Sequence, residues 1–250
     1  MRSLLLATLL SGLAFGVSPG PGTNDLPLDE PFADAFEPLT LPGSSGPNGA
    51  GYSMLDLLGD YGRVTGQTII MGMEDRAKFA ADQIGLLSDV TVPAARVHSF
   101  VGGLLLNGNV ALTFLHDESP RVLAAHSLTH GSTRMSLKQK AKYVSEEDLH
   151  VWAEQGALMM TTSVSMPHVD VRQLTTSLRA MMPDQSTHSM LNAGASSNVV
   201  LTGLASNLVG LVEMLHRIEA EAAAEAEAAA AAAAASEAAG GAIQVPDDEG

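Results

Sequence analysis

The chain of 250 residues has no cysteine, which excludes disulfide bonds and thiolate metal sites. Aromatic residues are also scarce, at 4% against 46% hydrophobic residues, so we expect an aliphatic core. Bases are few as well, because 13 Lys and Arg face 28 Asp and Glu, a net charge of -15. This balance argues against binding to nucleic acid, which requires clustered bases that neutralise phosphates.

The acidic residues are concentrated at the two ends of the chain. Residues 18–50 and residues 219–250 contain acids and no base. The region between them, residues 51–218, is therefore close to neutral. This distribution predicts an ordinary globular region between two acidic flanks.

The first residues predict a secretory signal peptide over residues 1–16. Arg2 precedes an apolar run from Leu4 to Val17, and Ala14 and Gly16 place small residues where a signal peptidase reads. The run is shorter than the roughly 20 residues that a membrane-spanning helix needs. We therefore expect cleavage and a periplasmic protein, with an uncleaved N-terminal anchor as the alternative.

Residues 17–51 are rich in Pro, Gly and Asp, a composition that disfavours helices and sheet ladders. We predict a disordered linker here. Phe32 and Phe36 are exceptions that allow a short docking segment.

Two regions have the periodicity of folded units. In residues 52–130, Ser53 precedes a helical apolar spacing, Thr68 to Met71 predicts a short buried strand, and Ile84 to Val92 predicts another. Pro93 opens a second helix, and a hairpin follows at 110–115 and 121–128. Residues 72–82 fit no element by pattern.

The second unit is predicted over residues 158–218 as strand, helix, two strands and helix, with Asp170 as a helix cap. Between the units, residues 131–157 predict a solvated, charged connector that carries Lys138, Lys140 and Lys142. Residues 219–250 predict an Ala- and Glu-rich helical extension with an acidic tail. The fold class expected is α+β, with two small domains whose helices pack on short β-sheets.

No catalytic, cofactor-binding or metal site is predicted. The sequence lacks a Gly-x-Ser-x-Gly elbow and a phosphate loop. His126 and His130 have a helical ligand spacing, but Val122 to Leu128 is predicted as a strand, and a third ligand, His116 with Asp117, would have to come from the hairpin. These three histidines define the alternative hypothesis of a metal-dependent periplasmic enzyme. Methionines at 159, 160, 166, 181, 182 and 190 are interpreted as core filling in place of aromatics, not as copper ligands.

Two segments of the second unit resemble a known family. "HVDVRQLTTSLRAMMPD" and "SNVVLTGLASNLVGLVEMLHRIE" are similar to the N-terminal ring-building domains of bacterial secretins, the outer-membrane channels of type II secretion and type IV pilus systems. Residues 52–130 resemble, more weakly, the short domain that begins secretins and TonB-dependent receptors. The segments that would build a secretin channel do not follow, so we expect no pore from this chain alone.

The resemblance implies a non-enzymatic assembly role through protein partners of a secretin or pilus machine, with self-association as a further option and without nucleic acid. Three hypotheses stay open at this point. The first is a periplasmic binding module, the second is the metal-dependent enzyme, and the third is a structural stalk in which the Ala-Glu helix reaches another component.

Overall fold

The structure is a computed structural model that describes residues 32–43, 51–117, 121–129, 131–179, 187–193 and 197–240. The predicted signal peptide and the final acidic residues lie outside this part of the chain. The described part contains eleven strands and six α-helices. The strands are β1 (Leu39–Leu41), β2 (Tyr52–Ser53), β3 (Thr68–Met71), β4 (Gln83–Ile84), β5 (Val90–Val92), β6 (Val110–His116), β7 (Val122–Ser127), β8 (Lys142–Tyr143), β9 (Met159–Ser165), β10 (Ser189–Asn192) and β11 (Asn198–Leu204). The α-helices are α1 (Met54–Thr65), α2 (Met73–Ala81), α3 (Val97–Asn107), α4 (Gly131–Gln139), α5 (Val171–Arg179) and α6 (Ala205–Gly240).

The first unit packs α1 and α3 against a three-stranded sheet. Its strand order is β3-β7-β6, with β3 parallel to β7 and β6 antiparallel to it. The hydroxyl of Ser53 accepts the backbone N–H of Asp56, and the Asp56 carboxylate accepts the N–H of Ser53, so a complete capping box starts α1. The apolar face that follows is buried, as predicted.

Two features of this unit differ from expectation. The segment without an assignment forms α2, and the predicted strand from Ile84 to Val92 is split into β4 and β5. β4 pairs with β2 and β5 pairs with β1, each in a two-stranded antiparallel sheet. The hairpin of β6 and β7 is confirmed.

The second unit is a four-stranded sheet in the order β10-β11-β9-β8, with α5 and α6 against it. Asp170 caps α5, because its Oδ1 accepts the N–H groups of Arg172 and Gln173 at 2.9 and 3.3 Å. Buried methionines fill the space between sheet and helices, which confirms their predicted role. The described members of that set are Met159, Met160, Met166 and Met190; positions 181 and 182 lie outside the described residues.

The two units meet through main-chain contacts and share one core. The amide of Leu112 in β6 donates to the carbonyl of Ala157 at 2.8 Å, and Leu112 forms a parallel bridge with Leu158 just before β9. A single buried apolar cluster extends from the first unit to the second, and a smaller one joins Ala111 to Met159 and Leu204. The boundaries at 130 and 158 stay predictions, but the units are in direct contact.

The prediction of a disordered linker over residues 17–51 is wrong for residues 32–43. This segment, called the strap below, packs on the first unit: Phe32, Leu39 and Leu41 are buried, and β1 pairs with β5. Its proline- and aspartate-rich composition hides these anchors, because the Pro and Asp side chains can face outward while the apolar ones face the core.

The prediction of a solvated connector over residues 131–157 is also wrong. The segment contains α4, β8 and a 3-10 helix at Leu149–Trp152, and Leu137, Leu149 and Trp152 are buried. The charges dominate the composition, whereas the few large apolar residues decide the packing.

The predicted helical extension is present. α6 has 36 residues, roughly 54 Å at the rise of an α-helix. Its first part carries the buried stripe, including Leu208, Val212 and Leu215, and from Ala224 to Ser236 every residue is exposed. The exposed part confirms that Ala and Glu sustain a helix there without a face to bury.

Candidate interaction surfaces

The histidines of the alternative metal hypothesis do not converge. Ala111 is the partner of His126 in the hairpin register, and His116 is opposite Val122. His116 and His126 are therefore about five residues apart along the strands, on the order of 17 Å. His130 lies outside the described residues, and among those described there is no group of three His, Asp or Glu residues that could hold a metal.

His126 instead has a structural partner. Its Nε2 lies 3.0 Å from the hydroxyl oxygen of Thr113 on the neighbouring strand. Burial first, and then the charge of Lys140, lower the pKa of His126 below its ordinary value. Thr113 is itself 1% exposed, so a substrate could not reach the hydroxyl. The pair has the composition of a nucleophile and a base, but packing covers the hydroxyl of Thr113 and leaves the ring of His126 half-buried.

The lysines of residues 131–157 do not form one basic face. Lys142 points inward, with its ammonium 5.1 Å from the ring centre of Phe114 and 5.3 Å from that of Trp152. The carboxylate of Asp117 lies 3.8 Å from the same nitrogen. Lys142 is thus occupied by two aromatic faces and an acid and does not extend into solvent beside Lys138 and Lys140.

The first unit exposes an apolar sheet edge. β3 ends the three-stranded sheet, and its residues alternate between exposed and half-buried, so the prediction of a buried strand at Thr68 to Met71 is wrong. Ile70 is 41% exposed, and Met73, just beyond the strand, is 81% exposed. An edge strand carries unpaired N–H and C=O groups, and here apolar side chains accompany them. The sequence could not reveal this, because Thr-Ile-Ile-Met has the composition of a buried strand.

The second unit also ends in an edge strand, β10. Leu191 is exposed on it, but the guanidinium of Arg179 donates to the carbonyl of Met190 at 3.2 Å. Arg179 therefore occupies one acceptor of this edge. A charged side chain over an edge is a common way of preventing strand addition, so β3 is the more open of the two edges.

One face of the second sheet is rich in hydroxyl groups. Thr161 and Thr202 are joined by a hydrogen bond of 2.9 Å, and Tyr143 reaches Ser163 at 3.2 Å. α4 covers one end of this face, where Met159 and Leu204 pack against Leu137. The rest of the face is uncharged and half open, which suits contact with a protein surface more than chemistry.

Among the described helices, none combines the length and the hydropathy that a bilayer crossing requires.

Comparisons with known proteins give structural matches alone. No family model matches the sequence, and no curated protein does. A chain of the Klebsiella pneumoniae type II secretion system outer membrane complex, described as PulD, PulS and the PulC HR domain, superposes with a TM-score of 0.51 at 15% identity. The match covers 68% of this chain and 26% of that one, so the present chain spans about a quarter of its length.

Two further matches have TM-scores of 0.25, too low to establish a shared fold. They are the GspC-GspD complex of enterotoxigenic Escherichia coli, at 19% identity over 73% of this chain and 98% of that one, and the structure XcpQN012, at 8% identity over 75% and 66%. The TM-score of the first match, 0.51, is high enough to indicate a shared fold. Over 68% of its length, this chain therefore has a fold similar to that of the matched part of a chain from a type II secretion outer membrane complex, which agrees with the resemblance seen in the sequence.

Proposed function

We propose that this protein is a non-enzymatic assembly module of a secretin-type machine, exported to the periplasm and acting through domain-to-domain contacts. The observation that carries the proposal is the fold shared with a chain of a type II secretion outer membrane complex over 68% of this chain. A type IV pilus machine is the other setting that the sequence resemblance allows.

The surfaces described above support this proposal. β3 offers backbone groups and apolar side chains at an open edge, the geometry used in strand addition between proteins. In the pair of Thr113 and His126, the hydroxyl of Thr113 is buried and the imidazole of His126 is half-buried, which disfavours the pair as a reaction centre. An assembly role therefore uses the exposed edge of β3. An enzymatic role based on Thr113 would need a hydroxyl group that lies in the core.

We expect the partner to pair an extended, apolar strand with β3 and to be a periplasmic domain of the same machine. The complex that contains the matched Klebsiella pneumoniae chain consists of PulD, PulS and the PulC HR domain. By analogy, the partners of this chain would be envelope proteins of a secretin assembly or further copies of the chain itself.

The test is a binding experiment with matched edge variants. The full chain, tagged, is expressed with the secretin operon of its own host, and envelope proteins are captured after mild cross-linking. Ile70→Lys places a charge on the open edge, and Met135→Lys makes the same change at an exposed residue of α4. We expect secretin components with the wild-type chain and Met135→Lys, and at least a tenfold loss with Ile70→Lys.

A wild-type chain that stays monomeric in light scattering and captures no secretin component would overturn the proposal. Equal capture by Ile70→Lys and Met135→Lys would leave the assembly role but reject β3 as its surface.

A further inference from the structure

Phe32 lies at the junction of the two units. Its ring centre is 5.5 Å from that of His98, 5.9 Å from that of Phe114 and 6.1 Å from that of Trp152. His98 and Phe114 belong to α3 and β6 of the first unit, whereas Trp152 comes from the segment that leads into the second. Phe32 is 6% exposed, so the strap inserts this ring between groups from both sides.

The space around the ring is nearly filled. The residual cavity beside Phe32 measures about 10 Å³, too small to hold more than a single water. Its walls come from both sides of the junction: Tyr61 and Gly102 belong to the first unit, Gln155 and Ala157 to the segment that leads into the second, and Leu158 to the second unit itself. Removing the ring would therefore open a void across the junction and not inside one unit.

The rest of the strap fixes this ring in place. The N–H of Phe36 donates to the carbonyl of Val64 at 2.8 Å, and β1 adds three residues to β5. The carbonyl of Ala33 accepts a hydrogen bond from Nε2 of His98 at 2.9 Å. Backbone bonds and strand pairing thus anchor the strap after Phe32 to the first unit, while the ring of Phe32 also contacts Trp152.

We propose that the strap is a lock on the relative orientation of the two units, with Phe32 as the wedge that sets it. When the strap is seated, the ring holds Trp152 against Phe114 and the units keep one arrangement. When the strap is released, the contacts of Leu112 with Ala157 and Leu158 and the smaller apolar cluster around Ala111 and Met159 still hold the units together, and their arrangement becomes more variable. The inference does not depend on the proposed function, because it concerns the isolated chain.

The chain is well suited to the test, since it has no cysteine and one tryptophan. Spin labels on Met73→Cys and Leu191→Cys, both at exposed positions, report the distance between the units. The sole tryptophan, Trp152, reports burial of the junction through its emission. Phe36→Ala is the matched control for Phe32→Ala, because Phe36 lies in the same strap but is 68% exposed.

In the full chain we expect a single narrow distance distribution for wild type and for Phe36→Ala. Phe32→Ala should broaden this distribution at least twofold and shift the Trp152 emission to longer wavelength, with an unchanged far-UV circular dichroism spectrum. A narrow distribution at the wild-type distance in Phe32→Ala would overturn the lock. If Phe32→Ala loses its secondary structure, Phe32→Leu gives the same comparison with a smaller broadening, and a wild-type distribution there overturns the proposal equally.

A disulfide then checks that the strap acts within its own chain. Thr40 and Thr91 are opposite each other in the β1-β5 register, with their hydroxyl oxygens 3.3 Å apart. Oxidised Thr40→Cys/Thr91→Cys protein should run as a monomer on a non-reducing gel. A covalent dimer as the main product would mean that the strap belongs to a neighbouring copy, which contradicts the lock.

Discussion

The hydroxyl of Tyr61 donates a hydrogen bond to Nδ1 of His98 across 2.8 Å in the buried interior of the first unit. On its other side, Nε2 of His98 faces the carbonyl of Ala33 in the strap. A carbonyl oxygen only accepts, so Nε2 carries the proton and Nδ1 is the acceptor. The neutral imidazole therefore satisfies both neighbours, and it ties α1, α3 and the strap together.

This arrangement predicts a pH dependence of stability. Burial lowers the pKa of His98 below its ordinary value of 6.5, although the carbonyl of Ala33 and the charges of Asp34 and Glu154 oppose the shift. The unfolded chain then binds a proton more readily than the folded one near and below pH 6.5, so this histidine's contribution to stability is present above pH 6.5 and is lost as the pH falls through the folded pKa.

Urea unfolding of wild type and His98→Gln at pH 5 and pH 7.5 measures this effect. We expect the wild-type free energy of unfolding to fall more steeply towards pH 5 than that of the variant. Glutamine retains a donor towards Ala33 but does not titrate, so the difference isolates the imidazole and cancels other groups, His126 included. Parallel curves would contradict the assignment.

Trp152 gives a second prediction. The indole is fully buried, and its N–H has no hydrogen-bond partner in the described part of the chain. Trp152→Ala should lower the free energy of unfolding by about 3–5 kcal/mol, the usual cost of truncating a large buried ring. Trp152→Phe should cost much less, because it also removes a buried unpaired donor whose desolvation penalty is about 1–3 kcal/mol. Circular dichroism must follow unfolding here, since the fluorophore is lost. Equal losses for the two variants would contradict the account.

Lys142 gives a third. Replacing it by Met retains most of the aliphatic stem and removes the cation that lies between Phe114 and Trp152. We expect Lys142→Met to lower the free energy of unfolding by about 1–2 kcal/mol, the size of a desolvated cation-π interaction. Lys140→Met, at an exposed position, is the control and should change stability by less than about 0.5 kcal/mol. A loss of the same size in the control would attribute the effect to net charge and not to the rings.

The exposed part of α6 gives a fourth. A chain that ends at Ala223 retains the buried stripe and the carboxylate of Glu219, which accepts the N–H of His168 at 3.0 Å. We expect its free energy of unfolding to stay within about 0.5 kcal/mol of the full chain, because the residues removed up to Ser236 bury nothing. Leu215→Ala in the same helix should cost about 2–5 kcal/mol. If the truncation lowers the free energy of unfolding as much as Leu215→Ala does, the removed part of α6 packs against the rest of the protein, which contradicts this prediction.

The elements with strong local signals follow the sequence closely. Ser53 and Asp170 begin α1 and α5 as predicted, because a cap is a contact between residues two or three apart and needs no distant partner. The hairpin of β6 and β7 is equally local. The stripe of Leu208, Val212 and Leu215 is buried as its spacing predicts.

The predictions are wrong where the burial of a segment depends on a partner that is distant in the sequence. The strap has the composition of a linker, yet Leu39 and Leu41 become core residues because β5 accepts β1 at a separation of about fifty residues. The composition of Thr68 to Met71 predicts a buried strand. Its residues are instead exposed or half-buried, because no further strand of the described sheet lies beside β3. Composition alone predicts neither the burial of the strap nor the exposure of β3.

By itself, the sequence determined the fold class, the caps, the hairpin, the aliphatic core with its methionines, and the helix that continues past the core. These depend on periodicity and on contacts between near neighbours. Only the tertiary structure decided that Phe32 stands between the units, that Lys142 faces inward to two rings, and that β3 is an open edge. Each of these is a pairing between segments far apart in the chain, where the free energy comes from surfaces that no local pattern brings together.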